Sequence, residues 1–244
     1  MEFKRFTRKV ELLSPPDFKL DLGKHDIIVY MNRIKAIIFD ASGTILDDIQ
    51  AVWKANSDAY HAFGLDGFET LEEFRARFKL PISEFHIENG IPPDLVKEVD
   101  LKFREVYPRY ASLVSIFPEV KDVLEQLKAR EILLGVASNI PSVFLREHLR
   151  EFNIEDYFNA VIGQEDSEEQ KPSPKPILAT LERLDARPQE AMYVGDMEED
   201  IIAAKAANTL VTAIIREKSY HPRWRLERQN PDYLISSLRG LPLD

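Results

Sequence analysis

The chain predicts an α/β fold, a doubly wound parallel sheet carrying a helical insertion, on three observations. Short runs of isoleucine, valine and leucine end in polar or glycine-containing turns, as at Ile34 to Phe39 before Asp40. From Pro118 onward such runs alternate with segments of helical apolar spacing. Between the first run and that alternating region, residues 49 to about 113 change character, with pieces of helical apolar spacing separated by glycines and prolines. Continuous apolar runs mark strands buried on both faces, and strands alternating with helices imply right-handed crossovers and helices on both sides of the sheet.

Residues 1–32 read as an N-terminal extension: Lys4, Arg5, Arg8 and Lys9 come first, then Ser14-Pro15-Pro16, then the short apolar run Ile27 to Tyr30. A short charged segment of this kind is expected to be solvated surface. Residues 33–48 and 114–244 are assigned to the core and 49–113 to the insertion. Within the insertion, helical spacing recurs at Trp53, Tyr60 and Phe63, at Phe74 and Phe78, and at Leu95, Val99 and Phe103, punctuated by Gly64, Gly67, Pro81, Gly90, Pro92 and Pro93. After Pro118, Val120, Val123, Leu124 and Leu127 form a helical stripe leading to a strand over Ile132 to Ala137. A helix over 141–150 leads to strand-like Ala160 to Ile162, and one over 175–185 leads to Met192-Tyr193-Val194. A helix over about 200–207 precedes Leu210 to Ile215, and Tyr233-Leu234-Ile235 supplies a last edge strand.

With 244 residues, 44% of them hydrophobic, the chain buries a sizeable core as one domain with an insertion or as two modest domains. A net charge of -10 and a pI near 5.1 argue against a nucleic-acid partner, which needs a positive surface. No run approaches the ~18 apolar residues of a membrane span, and Met1 to Lys9 lack an apolar signal core. No membrane partner and a cytoplasmic location are expected. The chain contains no cysteine, so any metal sits on oxygen or imidazole ligands. The sequence leaves the oligomeric state open.

In an open parallel sheet, ligands bind beyond the carboxyl ends of the strands. The polar residues there are Asp40 and Ser42 after the first strand, Ser138 and Asn139 after the second, Lys171 after the third, and Asp196 with Asp200 after the fourth. Carboxylates, a hydroxyl, an ammonium and turn amides are what a phosphoryl group and a hard divalent cation require. Each residue also has a structural reading: Asp40 as a turn former, Ser138 and Asn139 as a cap before Pro141, Lys171 as a loop cation, and Asp196 to Asp200 as acids at a helix N-terminus.

In order and context, four segments resemble the motifs of the haloacid dehalogenase-like hydrolase superfamily, over roughly residues 33 to 240. They are Phe39-Asp40-Ala41-Ser42-Gly43-Thr44, Gly135-Val136-Ala137-Ser138-Asn139, Lys171-Pro172-Ser173-Pro174, and Val194-Gly195-Asp196-Met197-Glu198-Glu199-Asp200-Ile201. The resemblance implies a Rossmann-like core with a helical cap, and an Mg²⁺-dependent phosphohydrolase acting on a small phosphorylated substrate. Asp40 would be the nucleophile and form an aspartyl-phosphate. Ser138 and Lys171 would complete the catalytic set, and Ala41, Ser42, Ser138, Asn139 and Lys171 would bind the phosphoryl group. Asp40, the Ser42 carbonyl, Asp196 and Asp200 would hold the metal.

The departure from the family pattern is Ser42, where its phosphatases usually carry a second aspartate that protonates the leaving oxygen. Loss of such an acid costs on the order of 10² to 10⁴ in rate. Three readings follow. One is a phosphohydrolase favouring leaving groups that depart without a proton. Another is a dehalogenase- or phosphonatase-type hydrolase, against which stand the acidic Asp196 and Asp200 and the lack of a marked Schiff-base lysine. The third is a catalytically weak protein that binds a phosphorylated ligand or partner for regulation. His61, His86, Arg75, Arg77 and Tyr107 are candidate specificity groups in the insertion.

Overall fold

The computed structural model describes residues 34–217 and 219–243, so the extension over residues 1–32 lies outside the described residues. In chain order the strands are β1 (Ala36–Phe39), β2 (Leu46–Asp47), β3 (Ser115–Ile116), β4 (Leu133–Ala137), β5 (Ala160–Ile162), β6 (Ala191–Gly195), β7 (Leu210–Ile214) and β8 (Tyr233–Ile235). Six of them make one parallel sheet, as the sequence predicts, and the strands lie in the order β5-β4-β1-β6-β7-β8. The edge strand at Tyr233–Ile235 is the one expected there.

The helices that follow the insertion are α5 (Val120–Ala129), α6 (Ser142–Glu151), α7 (Lys175–Arg183), α8 (Glu198–Ala206) and α9 (Arg223–Arg228). They cover both sheet faces, and β1 shows why its sequence is apolar throughout. Ile37 and Phe39 join the core formed with Val123, Leu127, Leu145 and Leu149 of α5 and α6. Ala36 and Ile38 point the other way, into the core with Ile177, Leu181, Ile201 and Ala204 of α7 and α8. Alternate residues of a strand face opposite sides, so a strand between two helical layers needs apolar residues at every position.

The chain leaves the sheet after β1 through a two-stranded antiparallel ribbon, β2 against β3, with Leu46 opposite Ile116 and Asp47 opposite Ser115. Between those strands lie α1 (Ile49–Ala62), α2 (Leu71–Arg77), α3 (Ile82–Glu88) and α4 (Val96–Val106). They share an aromatic core of Tyr60, Phe68, Phe74, Phe78 and Phe85, to which Met197 and Tyr220 contribute from outside the insertion. The helix α3 was not expected. It has seven residues, of which only Phe85 and His86 are buried, so it is too short to show a period. Among the described residues, no helix is long and apolar enough to cross a membrane.

Candidate active site

β1 lies between β4 and β6, and the chain runs outward from this centre in both directions, to β5 on one side and to β7 and β8 on the other. Such a switch point leaves a crevice beyond the strand ends. Asp40, Ser138 and Asp196 each follow one of these three strands, so the sheet alone brings them together. All three are buried, as are Lys171 and Asp200.

Lys171 is the hub. Its ammonium donates to Asp40 Oδ1 at 2.6 Å, to Asp200 Oδ1 at 2.7 Å and to the Tyr193 hydroxyl at 2.8 Å, which uses all three donors. The backbone of Lys171 is fixed in turn by Asn139, whose Nδ2 donates to the Lys171 carbonyl while its Oδ1 accepts the Lys171 amide, each at 3.1 Å. The Asn139 side chain therefore positions the lysine. Burial alone would pull the Lys171 pKa down, but the charges of Asp200 and Asp40 outweigh it and hold it above the ordinary value. Burial pushes Asp40 up to about 6, against the opposing pull of Lys171.

Asp40, Asp196 and Asp200 bring carboxylate oxygens within 4.8 Å of one another. Three carboxylates face one ammonium, which leaves two uncompensated negative charges if all ionise. Burial, together with Asp200 and Asp40, pushes the Asp196 pKa well above its ordinary value. Its Oδ2 accepts the Tyr220 amide at 2.9 Å, while its buried Oδ1 has no partner. An orphaned carboxylate oxygen in an all-oxygen cluster of excess negative charge fits a hard divalent cation. Asp200 stands further back: its Oδ1 serves Lys171 and its Oδ2 accepts the Met197 amide at 3.0 Å. Two glycines make the crowding possible. A Cβ on Gly43, whose φ is +70°, would lie 2.2 Å from Asp196 Oδ2, and one on Gly195 would lie 2.4 Å from Asp200 Cγ.

Ser42 lies beside Asp40 at the cavity wall, but its hydroxyl donates to Asp48 Oδ2 at 2.6 Å. Asp48 Oδ1 accepts the Tyr220 hydroxyl at 3.1 Å, and burial raises the Asp48 pKa to about 7. Ala41 is buried in the turn, its carbonyl accepting the amides of Thr44, Ile45 and Leu46. Ser138 lines the cavity, and its Oγ accepts the Ile140 amide at 3.3 Å.

The cavity, of about 90 Å³, lies between the insertion and the strand ends. Of the candidate specificity groups, His86 and Tyr107 line it, whereas His61 is exposed and Arg75 and Arg77 line a separate groove with Trp224. Sequence reasoning missed Tyr193, Asp48 and Tyr220. β6 is buried at every position, so nothing in its pattern marks Tyr193 as polar-facing. Asp48 reads as the start of α1, although its side chain makes no cap hydrogen bond. Tyr220 follows β7 in a loop without a motif.

A family model described as haloacid dehalogenase-like hydrolase matches residues 37–214. A phosphoglycolate phosphatase of Photorhabdus laumondii subsp. laumondii is 30% identical over 219 residues, covering 86% of this chain and 92% of the relative. One from Shigella boydii serotype 4 is 29% identical over 234 residues, covering 85% and 91%. Among solved structures, CbbY from Rhodobacter sphaeroides, crystallised in complex with phosphate, superposes with a TM-score of 0.72 at 21% identity, covering 86% of this chain and 96% of that one.

Proposed function

The chain belongs to the haloacid dehalogenase-like hydrolase family, and from that premise we propose that it is a phosphatase that hydrolyses a small phosphorylated metabolite through an aspartyl-phosphate on Asp40. The observation that carries this reading is the buried Lys171 ammonium held between Asp40 and Asp200, beside the unpartnered Oδ1 of Asp196. The phosphoglycolate phosphatases among its relatives support the same reaction class.

An Asp40 carboxylate oxygen attacks phosphorus, and the ester oxygen departs with the bonding electron pair. Water then attacks the phosphorus of the acyl phosphate, which returns Asp40 to a carboxylate and releases inorganic phosphate. Lys171 orients Asp40 and offsets charge on the phosphoryl oxygens, and Ser138 hydrogen-bonds one of them. Asp40, Asp196 and the Ser42 carbonyl would hold Mg²⁺, with Asp200 behind them, and the ion would relieve repulsion between the anionic nucleophile and the anionic phosphate. The insertion acts as a cap that excludes water when closed. Ser42 spends its hydroxyl proton on Asp48, so it does not supply the leaving oxygen with a proton. Leaving groups that depart as stable anions are therefore favoured.

Two observations weigh against the other hydrolase readings. Dehalogenase chemistry has no use for the three-carboxylate cluster. A phosphonatase-type Schiff base needs a lysine in the cap, yet among the described residues the only lysine lining the cavity is Lys171. Lys79 and Lys102 of the insertion are paired with glutamates instead. The test is turnover of a phosphoester panel with and without Mg²⁺, alongside haloacids. The reading expects Mg²⁺-dependent phosphate release that Asp40→Asn lowers by about 10³ or more. Metal-dependent binding of a phosphate analogue with negligible turnover across the panel would support the regulatory alternative instead.

A further inference from the structure

Away from the Asp40 cluster, the cavity lining is mostly apolar and aromatic. Phe78, Ile82, Phe103, Tyr107, Phe144 and Tyr220 surround the space over the Asp40 carboxylate. Asn56, Gln164 and Gln170, which also line it, are uncharged amides. His86 also lines it, but burial lowers its pKa to about 4, so it carries no charge near neutrality.

Among the described residues, Lys171 is the only cation lining the cavity, and Asp40 and Asp200 already pair with it. The wall contributed by the insertion carries an anion instead, Asp100. Arg104 is the guanidinium bonded to these wall residues, and three of its donors, one on each nitrogen, go to Asp100, Gln164 and Glu165. The cations Arg75, Arg77 and Lys79 line the separate groove beside Trp224. A leaving group bearing a carboxylate, such as glycolate, would lose its hydration against aromatic rings and Asp100 with no unpaired side-chain cation in the lining to meet it. Leaving a buried charge unpaired is among the costliest arrangements in a binding site.

We propose that the substrate of this site is a phosphomonoester of an uncharged, apolar and aromatic alcohol, and that a hydroxy-acid phosphate of the kind named in its relatives is rejected. This specificity rests on the phosphatase reading above. It agrees with the fate of the Ser42 proton, because a phenolic oxygen leaves as a stabilised anion. Aromatic walls bind a planar ring by burial and by offset or edge-on contact.

The experiment compares phenyl phosphate with 3-carboxyphenyl phosphate, whose phenols are of similar acidity, and adds 2-phosphoglycolate. In parallel, calorimetry in Mg²⁺ measures binding of phenylphosphonate and 3-carboxyphenylphosphonate to the unmodified enzyme. The proposal expects kcat/KM at least tenfold higher for phenyl phosphate than for either carboxylate-bearing ester, and at least tenfold tighter binding of phenylphosphonate. Asp100→Asn removes the wall's anion and releases Arg104 from one partner, so it should narrow both ratios several-fold. Equal or better use of the carboxylate-bearing compounds, or binding of neither phosphonate, overturns the proposal. Absence of turnover with all three esters defeats the phosphatase reading, and the binding comparison then still decides the specificity of the pocket.

Discussion

Asp40 and Ser42 lie two residues apart in one turn and carry opposite messages: a nucleophile held by Lys171, and a hydroxyl committed to Asp48. Replacing Ser42 by aspartate restores a carboxyl group at the position where the family's phosphatases carry an acid. Ser42→Asp should raise turnover of alkyl phosphates by about tenfold or more, and turnover of activated aryl phosphates much less. A steady-state comparison of the two substrate types checks this, and equal gains on both would remove the explanation. Most of the residues proposed for catalysis were legible because each follows an apolar strand run, so topology alone collects Asp40, Ser138 and Asp196. Their supporting partners were not. Tyr193 reaches the cluster by its side-chain direction, Tyr220 by a loop amide on Asp196, and Asp48 only through Ser42 and Tyr220, and one sequence encodes none of these in a local period. The direction of the Ser42 hydroxyl is a fact of the same kind.

At the scale of elements, strands and long helices were readable, because burial on both faces leaves a continuous apolar run and an amphipathic helix leaves a stripe. Short α3 left neither. Its buried His86 nonetheless makes a measurable contribution. His86 Nδ1 lies 3.1 Å from the Tyr60 hydroxyl inside the aromatic core of the insertion, and burial lowers its pKa from 6.5 to about 4. Between those values the unfolded chain takes up a proton that the folded chain refuses. Stability from this residue is thus complete above about pH 6.5 and declines as pH falls toward 4, by about 3 kcal/mol over the window. His221, lowered to about 4 by burial while Nε2 faces the Phe78 carbonyl, adds a contribution of the same sign. The carboxylates of Asp40 and Asp196 act in the opposite sense over the same window, so the test is a comparison. Between pH 7.5 and 4 the urea-unfolding pH profile of His86→Gln should differ from that of the unmodified chain by about 3 kcal/mol. An unchanged profile would place the acid sensitivity elsewhere.

At the scale of the molecule, the sheet and the insertion meet over a pocket whose charge is unbalanced. The carboxylates of Asp40 and Asp196 have raised pKa values, so the folded protein without a cation holds protons that the unfolded chain releases. Their contribution to stability therefore falls as pH rises from about 4, their ordinary value, through neutrality. A divalent cation that binds the ionised cluster should reverse that trend. Added Mg²⁺ should raise the thermal midpoint of the chelator-treated protein by several degrees at pH 7.5 and by less at pH 5.5. Asp196→Asn should abolish the rise, and a rise that survives this variant would place the cation elsewhere.

The most direct measurement is a rapid acid quench of the enzyme turning over a radiolabelled aryl phosphate in Mg²⁺, followed by borohydride reduction and peptide sequencing. An aspartyl-phosphate survives the quench, and borohydride reduces its acyl group to an alcohol. The account predicts label on the quenched protein before reduction, its release by borohydride with homoserine in place of Asp40 in the peptide spanning Ala36 to Lys54, and neither in Asp40→Asn. Steady turnover with no label on the protein, or label and homoserine at another residue, would contradict it.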